Sequence, residues 1–214
     1  MDALVMCGGR GTRLDSSHEK PIHPIADVPM VDTVVSALEA SRVGSVVAAV
    51  SPNTPETRTH LRDRDVVAVI ETPGDGYVAD LEVSLDHPDV SLPILTVVAD
   101  LPLLAGETVG RILGRYERRS NDRQPGDSTL SANDESPSMT VCIPRALKRR
   151  IGVSLDSAND SHLVPTGVNV VGEASDDVLE VSYDLRLAVN VNSRTDAKLA
   201  NRLVRNGPLT GDRP

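Results

Sequence analysis

Ala3-Leu4-Val5-Met6-Cys7-Gly8-Gly9-Arg10-Gly11-Thr12-Arg13, continued by Leu14-Asp15-Ser16-Ser17-His18-Glu19-Lys20-Pro21, is the stretch on which the reading of the chain turns. The apolar run 3–6 predicts a buried strand, and a glycine-rich turn comes directly after it. Gly8, Gly9 and Gly11 let the backbone curl tightly and approach a ligand without side-chain clash. A curled backbone aims several N–H groups into one concavity, which suits phosphate oxygens. Arg10, Arg13 and Lys20 add full positive charges to those partial ones. The ligand this combination suggests is a nucleoside triphosphate.

Two familiar glycine loops do not fit. The Walker-type string G-x-x-x-x-G-K-[ST] does not occur, and the dinucleotide fingerprint G-x-G-x-x-G fits Gly9 and Gly11 but meets Leu14 in the third place. What remains is G-G-x-G-T-R with Lys20-Pro21 placed seven residues after Arg13. This resembles the signature of the nucleotidyltransferase superfamily, which has a Rossmann-like fold and moves a nucleoside monophosphate from a triphosphate to an acceptor phosphate. The resemblance implies that Gly8, Gly9, Arg10, Gly11, Thr12, Arg13 and Lys20 bind the nucleotide, with Arg13 and Lys20 also catalytic.

Outward from that loop, apolar runs and helical stripes alternate. Strands are predicted at 45–50, 66–70 and 93–99, and helices at 29–42, 54–62, 77–86 and 106–119. Further strands are predicted at 139–143, 163–172 and 186–191, with a closing helix at 194–205. Strands alternating with helices imply right-handed crossovers and an α/β fold. Continuous apolar strands imply a mostly parallel central sheet with helices on both faces. Residues 120–138 (SNDRQPGDSTLSANDESPS) are polar and read as a disordered or mobile loop. The 214 residues fit a single domain, 1–214.

Composition narrows the function. The formal net charge is -9 and the pI about 5.0, which speaks against nucleic-acid binding, where phosphate contacts dominate affinity. There is no Phe or Trp, and the lysines are Lys20, Lys148 and Lys198 alone. Small apolar residues on an acidic background suit concentrated salt, where self-repulsion is screened. A halophilic protein is therefore expected. Cys7 and Cys142 read as small core residues, with no disulfide or zinc pattern. No secretory signal or membrane-length apolar run is visible, so a soluble, cytoplasmic protein is expected.

Ligands of such folds bind beyond the carboxyl ends of the parallel strands. Asp100 ends the strand 93–99 on that edge, where a carboxylate can hold Mg2+ against phosphate oxygens. The other reading is that Asp100 caps the turn at Leu101-Pro102. Asn190 and Asn192 end the predicted strand 186–191 and would share a side of it. The matching V-N pair of related nucleotidyltransferases supplies a metal ligand, which selects Asn192. Helix capping by Asn192 or Ser193 is equally open. Asn53 in Ser51-Pro52-Asn53-Thr54-Pro55, and Gly74 and Gly76 in Thr72-Pro73-Gly74-Asp75-Gly76-Tyr77, lie just beyond neighbouring strands and either border the base or form plain turns. Asp75 or Asp80 could accept hydrogen bonds from guanine. Gly167 within 163–172 signals close approach of a ligand, a bulge or mere packing, and Asn169 could bond an acceptor substrate. The five histidines show no metal spacing. Arg145-Ala146-Leu147-Lys148-Arg149-Arg150 reads as a solvated face.

The strings MDALVMCGGRGTR, SPNTPET, GDGYVADL, VPTGVNVV and VNVNSRTDAKLA together resemble the family of archaeal adenosylcobinamide-phosphate guanylyltransferases. The resemblance spans nearly the whole chain apart from 120–138. It implies that GTP and adenosylcobinamide phosphate give adenosylcobinamide-GDP and pyrophosphate in cobalamin biosynthesis. It implies Mg2+ held by Asp100 and Asn192, while Gly167 and Asn169 remain the candidates for binding the acceptor substrate. Transfer to another phosphorylated acceptor, such as molybdopterin or a sugar phosphate, and a non-catalytic nucleotide sensor are the alternatives. A homodimer is left open.

Overall fold

The computed structural model describes residues 1–64, 67–121, 135–154 and 161–206. The chain runs β1 (Ala3–Met6), the short ribbon β2 (Pro24–Ile25) and β3 (Val28–Pro29), α1 (Met30–Glu39), β4 (Val46–Val50), α2 (Pro55–Arg62), β5 (Val67–Glu71), α3 (Tyr77–Leu85), β6 (Ile94–Val98), α4 (Gly106–Asn121), β7 (Ser138–Pro144), α5 (Arg145–Ile151), β8 (Leu163–Val171), β9 (Asp177–Val181) and α6 (Arg194–Arg205). Single 3-10 turns stand at Lys20–Ile22 and Leu185–Leu187.

One seven-stranded sheet has the order β5-β4-β1-β6-β8-β7-β9. β5, β4, β1 and β6 pair in parallel, while β8 lies antiparallel to both β6 and β7, and β7 pairs parallel with β9. Only β8 therefore runs against the rest. β1 and β4 are apolar and buried throughout because both sheet faces are covered there. Ala3, Val5 and Cys7 face α1, α2 and α4 through Val34, Leu38, Leu61 and Ile112, among others. Leu4 and Met6 face the opposite way, toward Leu81 and Leu85 of α3. Each such Val or Leu removed fully from water contributes roughly 1.5–3 kcal/mol. Leu14, Ile25, Met30, Val189 and Val191 make a further cluster against Ala197 and Ala200 of α6. Cys7 and Cys142 are both buried, and burial alone pushes the Cys7 thiol up to about 12.

Two expectations are corrected, and one strand is unanticipated. The segment 186–191 is no strand: Asp184 accepts from Arg186 N–H and starts a 3-10 turn. Leu187 and Ala188 then enter one core cluster, and Val189 and Val191 another. The run is apolar because it is buried between two clusters, not because it joins a ladder. Its alternation therefore does not place Asn190 and Asn192. Second, 145–150 is most of helix α5 and only in part a solvated face: Ala146, Arg149 and Arg150 are exposed, but Leu147 and Ile151 pack on the core and Lys148 is only 6% exposed. The unanticipated strand, β9, escapes a hydrophobic pattern because its buried position is Glu180, paired with Arg115 and Arg119 of α4. Of the loop expected at 120–138, residues 122–134 lie outside the described residues, while Ser120 and Asn121 complete α4.

A second carboxylate joins the turn after β9 to α4. Asp184 accepts from Thr108 (2.7 Å), Arg111 (2.5 Å) and the Arg186 Nε (3.0 Å). Burial works against its charge, but the hydrogen bonds from Arg186 and Thr108 prevail and hold its pKa at about 2, below the ordinary 3.8. The folded value lies below the unfolded one, so this stabilisation is full above pH ~4 and disappears as pH falls toward 2. Asp184→Asn should cost about 2 kcal/mol at neutral pH and flatten the stability loss between pH 4 and 2. Urea midpoints measured across that range check this; an unchanged acid limb contradicts it.

Candidate active site

The carboxyl ends of β1, β4, β5 and β6 open on one cleft of about 530 Å3. Each strand end contributes a segment to its wall: Cys7–Arg10, Asn53, Gly74–Tyr77 and Ala99–Asp100, joined by Lys20. This is the edge on which parallel sheets place ligands.

The glycine loop leaves the sheet once Cys7 N–H has bonded the Ala49 carbonyl (2.8 Å). The backbone N–H groups of Gly8, Gly9, Arg10 and Gly11 then make no hydrogen bond to any described residue. Leu14 N–H returns to the Gly11 carbonyl (3.0 Å), and the buried Leu14 side chain anchors the turn. Gly11 has φ +60, and a Cβ there would stand 2.6 Å from the Lys20 Cβ. Gly9 differs: its φ is ordinary and a Cβ would meet nothing within 4 Å. The fold itself does not require glycine at 9; a ligand lying on that backbone would.

Neighbouring loops are knitted to this one. Ser51 Oγ donates to the Gly8 carbonyl (2.9 Å), and Asn53 Nδ2 donates to the Gly74 carbonyl (3.4 Å). Gly74, at φ +81, donates its N–H to Asp80 Oδ1 (2.8 Å). Asp80 is thereby buried at 3% exposure as a clamp on the 74–76 turn, while Asp75 is exposed. Glu19 fixes the far end of the loop. Its carboxylate accepts from Glu56 N–H, Thr57 N–H and the Thr57 hydroxyl at 2.8, 2.8 and 2.7 Å. A carboxylate at the start of α2 meets unpaired N–H groups and the positive end of the helix dipole. No sequence pattern marked Glu19, because the helix it caps begins 36 residues later, at Pro55 (55 − 19 = 36).

Glu19 in turn sets Lys20. The Lys20 ammonium donates to Asp100 Oδ2 (2.5 Å) and Asn192 Oδ1 (2.7 Å), with both ionic side chains largely buried. Ser193, not Asn192, caps α6: it exchanges hydrogen bonds with Asp196 in a capping box. That leaves the Asn192 amide oxygen to accept from Lys20. Asp196 also accepts from Ser154 N–H, Ser154 Oγ and Asn192 N–H. Burial opposes its charge, yet these bonds lower its pKa below the usual carboxylate range. Asn190 reaches the same centre, donating to Asp100 Oδ1 (3.2 Å).

Two hard oxygens, Asp100 Oδ2 and Asn192 Oδ1, thus converge on one cationic point. No group of three or more His, Cys, Asp or Glu suited to a metal occurs among the described residues. One carboxylate and one amide suit Mg2+, which takes most of its other ligands from water and substrate phosphates.

Of the residues anticipated from sequence, Gly8, Gly9, Arg10, Lys20, Asn53, Gly74, Gly76 and Asp100 line the cleft, and Asn192 joins it through Lys20. Gly11, Thr12 and Arg13 lie on the turn but are not among the described residues of the wall, nor are Gly167 and Asn169. Gly167 has φ +80 and backs onto Val98, with which a Cβ would collide. Asn169 sits behind Tyr77, a wall residue that no sequence pattern marks. Burial raises the Tyr77 phenol, while the neighbouring Thr96 and Asn169 side chains work to lower it. Asn169 Oδ1 is buried without a partner among the described residues.

Comparisons with known proteins bear on the family and the fold. Residues 3–165 match the MobA-like NTP transferase domain family. An adenosylcobinamide-phosphate guanylyltransferase of Methanocaldococcus jannaschii is 30% identical over 98% of this chain and all of that protein. The bifunctional protein GlmU of Carboxydothermus hydrogenoformans is 31% identical over 54% of this chain and 26% of its own length. A structure from Bacillus anthracis assigned as a glucose-1-phosphate thymidylyltransferase superposes with a TM-score of 0.63 at 13% identity, covering 98% of this chain and 97% of that one.

The contrast between two loop glycines is testable by urea unfolding. Gly9→Ala should leave stability within about 0.5 kcal/mol of wild type, whereas Gly11→Ala, forced to a left-handed backbone, should lose about 1–2 kcal/mol. Equal losses would contradict these two roles.

Proposed function

The chain belongs to the MobA-like NTP transferase domain family, and from that footing we propose that it transfers GMP from GTP to adenosylcobinamide phosphate, releasing pyrophosphate. The observation that carries this is the convergence at one strand edge of unpaired loop N–H groups, Arg10, Lys20 and the Asp100–Asn192 oxygen pair. The acceptor is inferred from the relative matched along its whole length.

The chemistry asks for positioning and charge neutralisation. A phosphate monoester is largely dianionic near neutral pH and needs no general base to become a nucleophile. One acceptor phosphate oxygen forms a bond to the α-phosphorus, the bond from that phosphorus to the bridging oxygen breaks, and pyrophosphate departs with the electron pair. No proton need move. The N–H groups of Gly8 to Gly11, with Arg10 and Arg13, hold the β- and γ-phosphates, and Thr12 completes the turn. Lys20 neutralises charge developing at the α-phosphoryl group. Asp100 and Asn192, whose oxygens Lys20 bonds in this structure, would hold Mg2+ once the Lys20 ammonium turns to the phosphates, and the ion would draw negative charge from the phosphate oxygens. Asn53, Gly74 and Gly76 border the base. Because Asp80 is committed to the Gly74 N–H, the exposed Asp75 is the carboxylate better placed to read guanine. The acceptor lies toward Gly167 and Asn169, beyond Tyr77.

Lys20→Ala and Asp100→Ala should each reduce turnover at least 100-fold, as loss of a transition-state electrostatic contact does. The assay is incubation with Mg-GTP and adenosylcobinamide phosphate in molar KCl, scored by corrinoid mass and pyrophosphate release. Absence of adenosylcobinamide-GDP with wild-type protein contradicts the acceptor, and near-normal turnover in either variant removes that residue from its role.

A further inference from the structure

Lys148 is one of three lysines in the chain and the one on α5, an element that the proposed chemistry leaves unused. It is 6% exposed. The helix that carries it is fixed at both ends. Arg145 N–H and Nε bond the carbonyls of His162 (2.8 Å) and Ser161 (2.9 Å). Gly152, at φ +80, closes the helix by donating to the Lys148 carbonyl (3.1 Å). Leu147 and Ile151 pack on the core. An ammonium in such a place is costly to bury, and its hydrogen bonds must justify its position.

Its Nζ donates to Asn190 Oδ1 (3.0 Å). The amide's other end donates twice, to the Thr166 carbonyl (3.1 Å) and to Asp100 Oδ1 (3.2 Å). An ammonium can only donate, and a carbonyl and a carboxylate can only accept. Lys148 therefore leaves Asn190 one orientation, with its NH2 toward Asp100. Asp100 is then held by one oxygen from behind, and its Oδ2 is the oxygen presented to Lys20. The Val191 N–H on the Asp100 carbonyl (3.0 Å) fixes the backbone as well.

We propose that Lys148 is a positioning residue that acts through Asn190 to aim the Asp100 carboxylate at the divalent cation of the cleft. The inference rests on the reading of Asp100 as the metal-holding group. Outer residues that orient a ligating carboxylate typically alter metal affinity or activity 10–100-fold when removed. Lys148 is not a residue of the cleft wall. Its removal should therefore change the Mg2+ requirement and leave metal-free nucleotide contacts alone.

The test is equilibrium dialysis of labelled GTP against wild type, Lys148→Met, Asn190→Leu and the double variant in molar KCl. Free Mg2+ is varied, with EDTA as the metal-free arm and turnover measured alongside. In Lys148→Met the Mg2+ needed for half-maximal GTP uptake should rise at least tenfold and kcat fall 10–100-fold, with uptake in EDTA unchanged. The double variant should be no worse than Asn190→Leu alone, since Lys148 acts through that amide. Should Lys148→Met not fold, Lys148→Gln, which keeps a donor on a similar stem, should fold with a smaller rise and at least partial turnover. An unchanged Mg2+ requirement in a folded Lys148 variant overturns the proposal, as do additive losses in the double variant. Wild-type protein that takes up GTP equally with Mg2+ and in EDTA overturns the underlying metal reading instead.

Discussion

A single ammonium ties distant segments of this chain together at the place where its chemistry would occur. Lys20 leaves the glycine loop, crosses to Asp100 at the end of β6 and to Asn192 before α6, and so joins three distant parts of the chain. A largely buried charge tolerates such a position only when paired, and removing one partner strands the other. The surrounding structure is arranged to guarantee the pairing. Glu19 pins the residue beside it to α2, Gly11 makes room for its stem, and Asp196 with Ser193 frees Asn192 from helix capping. The same convergence that stabilises the edge also collects positive potential around the loop N–H groups.

The arrangement comes from how polar groups can be placed beside an apolar sheet. β1, β4, β5 and β6 are apolar and end at one edge, so the segments leaving them must satisfy their own polar groups or leave them to a ligand. Asp80, Ser51 and Asn53 satisfy the outer loops. Among the described residues, the glycine loop keeps a run of N–H groups unspent, as does the stretch from Asp75 to Ala79 at the start of α3. On the far side, β8 reverses direction and brings Asn169 behind Tyr77, while α5 supplies Lys148 to the back of Asp100 through Asn190.

Much of this is legible in the letters, and what is not has identifiable causes. The glycine loop, Lys20 and Asp100 stand out because their spacing is local and their strands are bounded apolar runs. Helix α5 is hidden because Arg145, Lys148, Arg149 and Arg150 outweigh Leu147 and Ile151 in any average, although one of those cations points inward. β9 is hidden because its inward residue is Glu180, acceptable there only through Arg115 and Arg119 of another element. The run 186–191 misleads because burial on all sides produces the same letters as a buried strand. Glu19 and Tyr77 could not be read at all: the partners that give them meaning, Thr57 and Asn169, lie 38 and 92 residues away (57 − 19 and 169 − 77).

The central claim is that the amino-terminal loop and the Asp100–Asn192 pair form one anion-and-cation site. Calorimetric titration of the folded chain with magnesium-loaded GTP in molar KCl tests it most directly. The account predicts saturable uptake of one nucleotide per chain that weakens when magnesium is chelated. No heat of binding from correctly folded protein would contradict it.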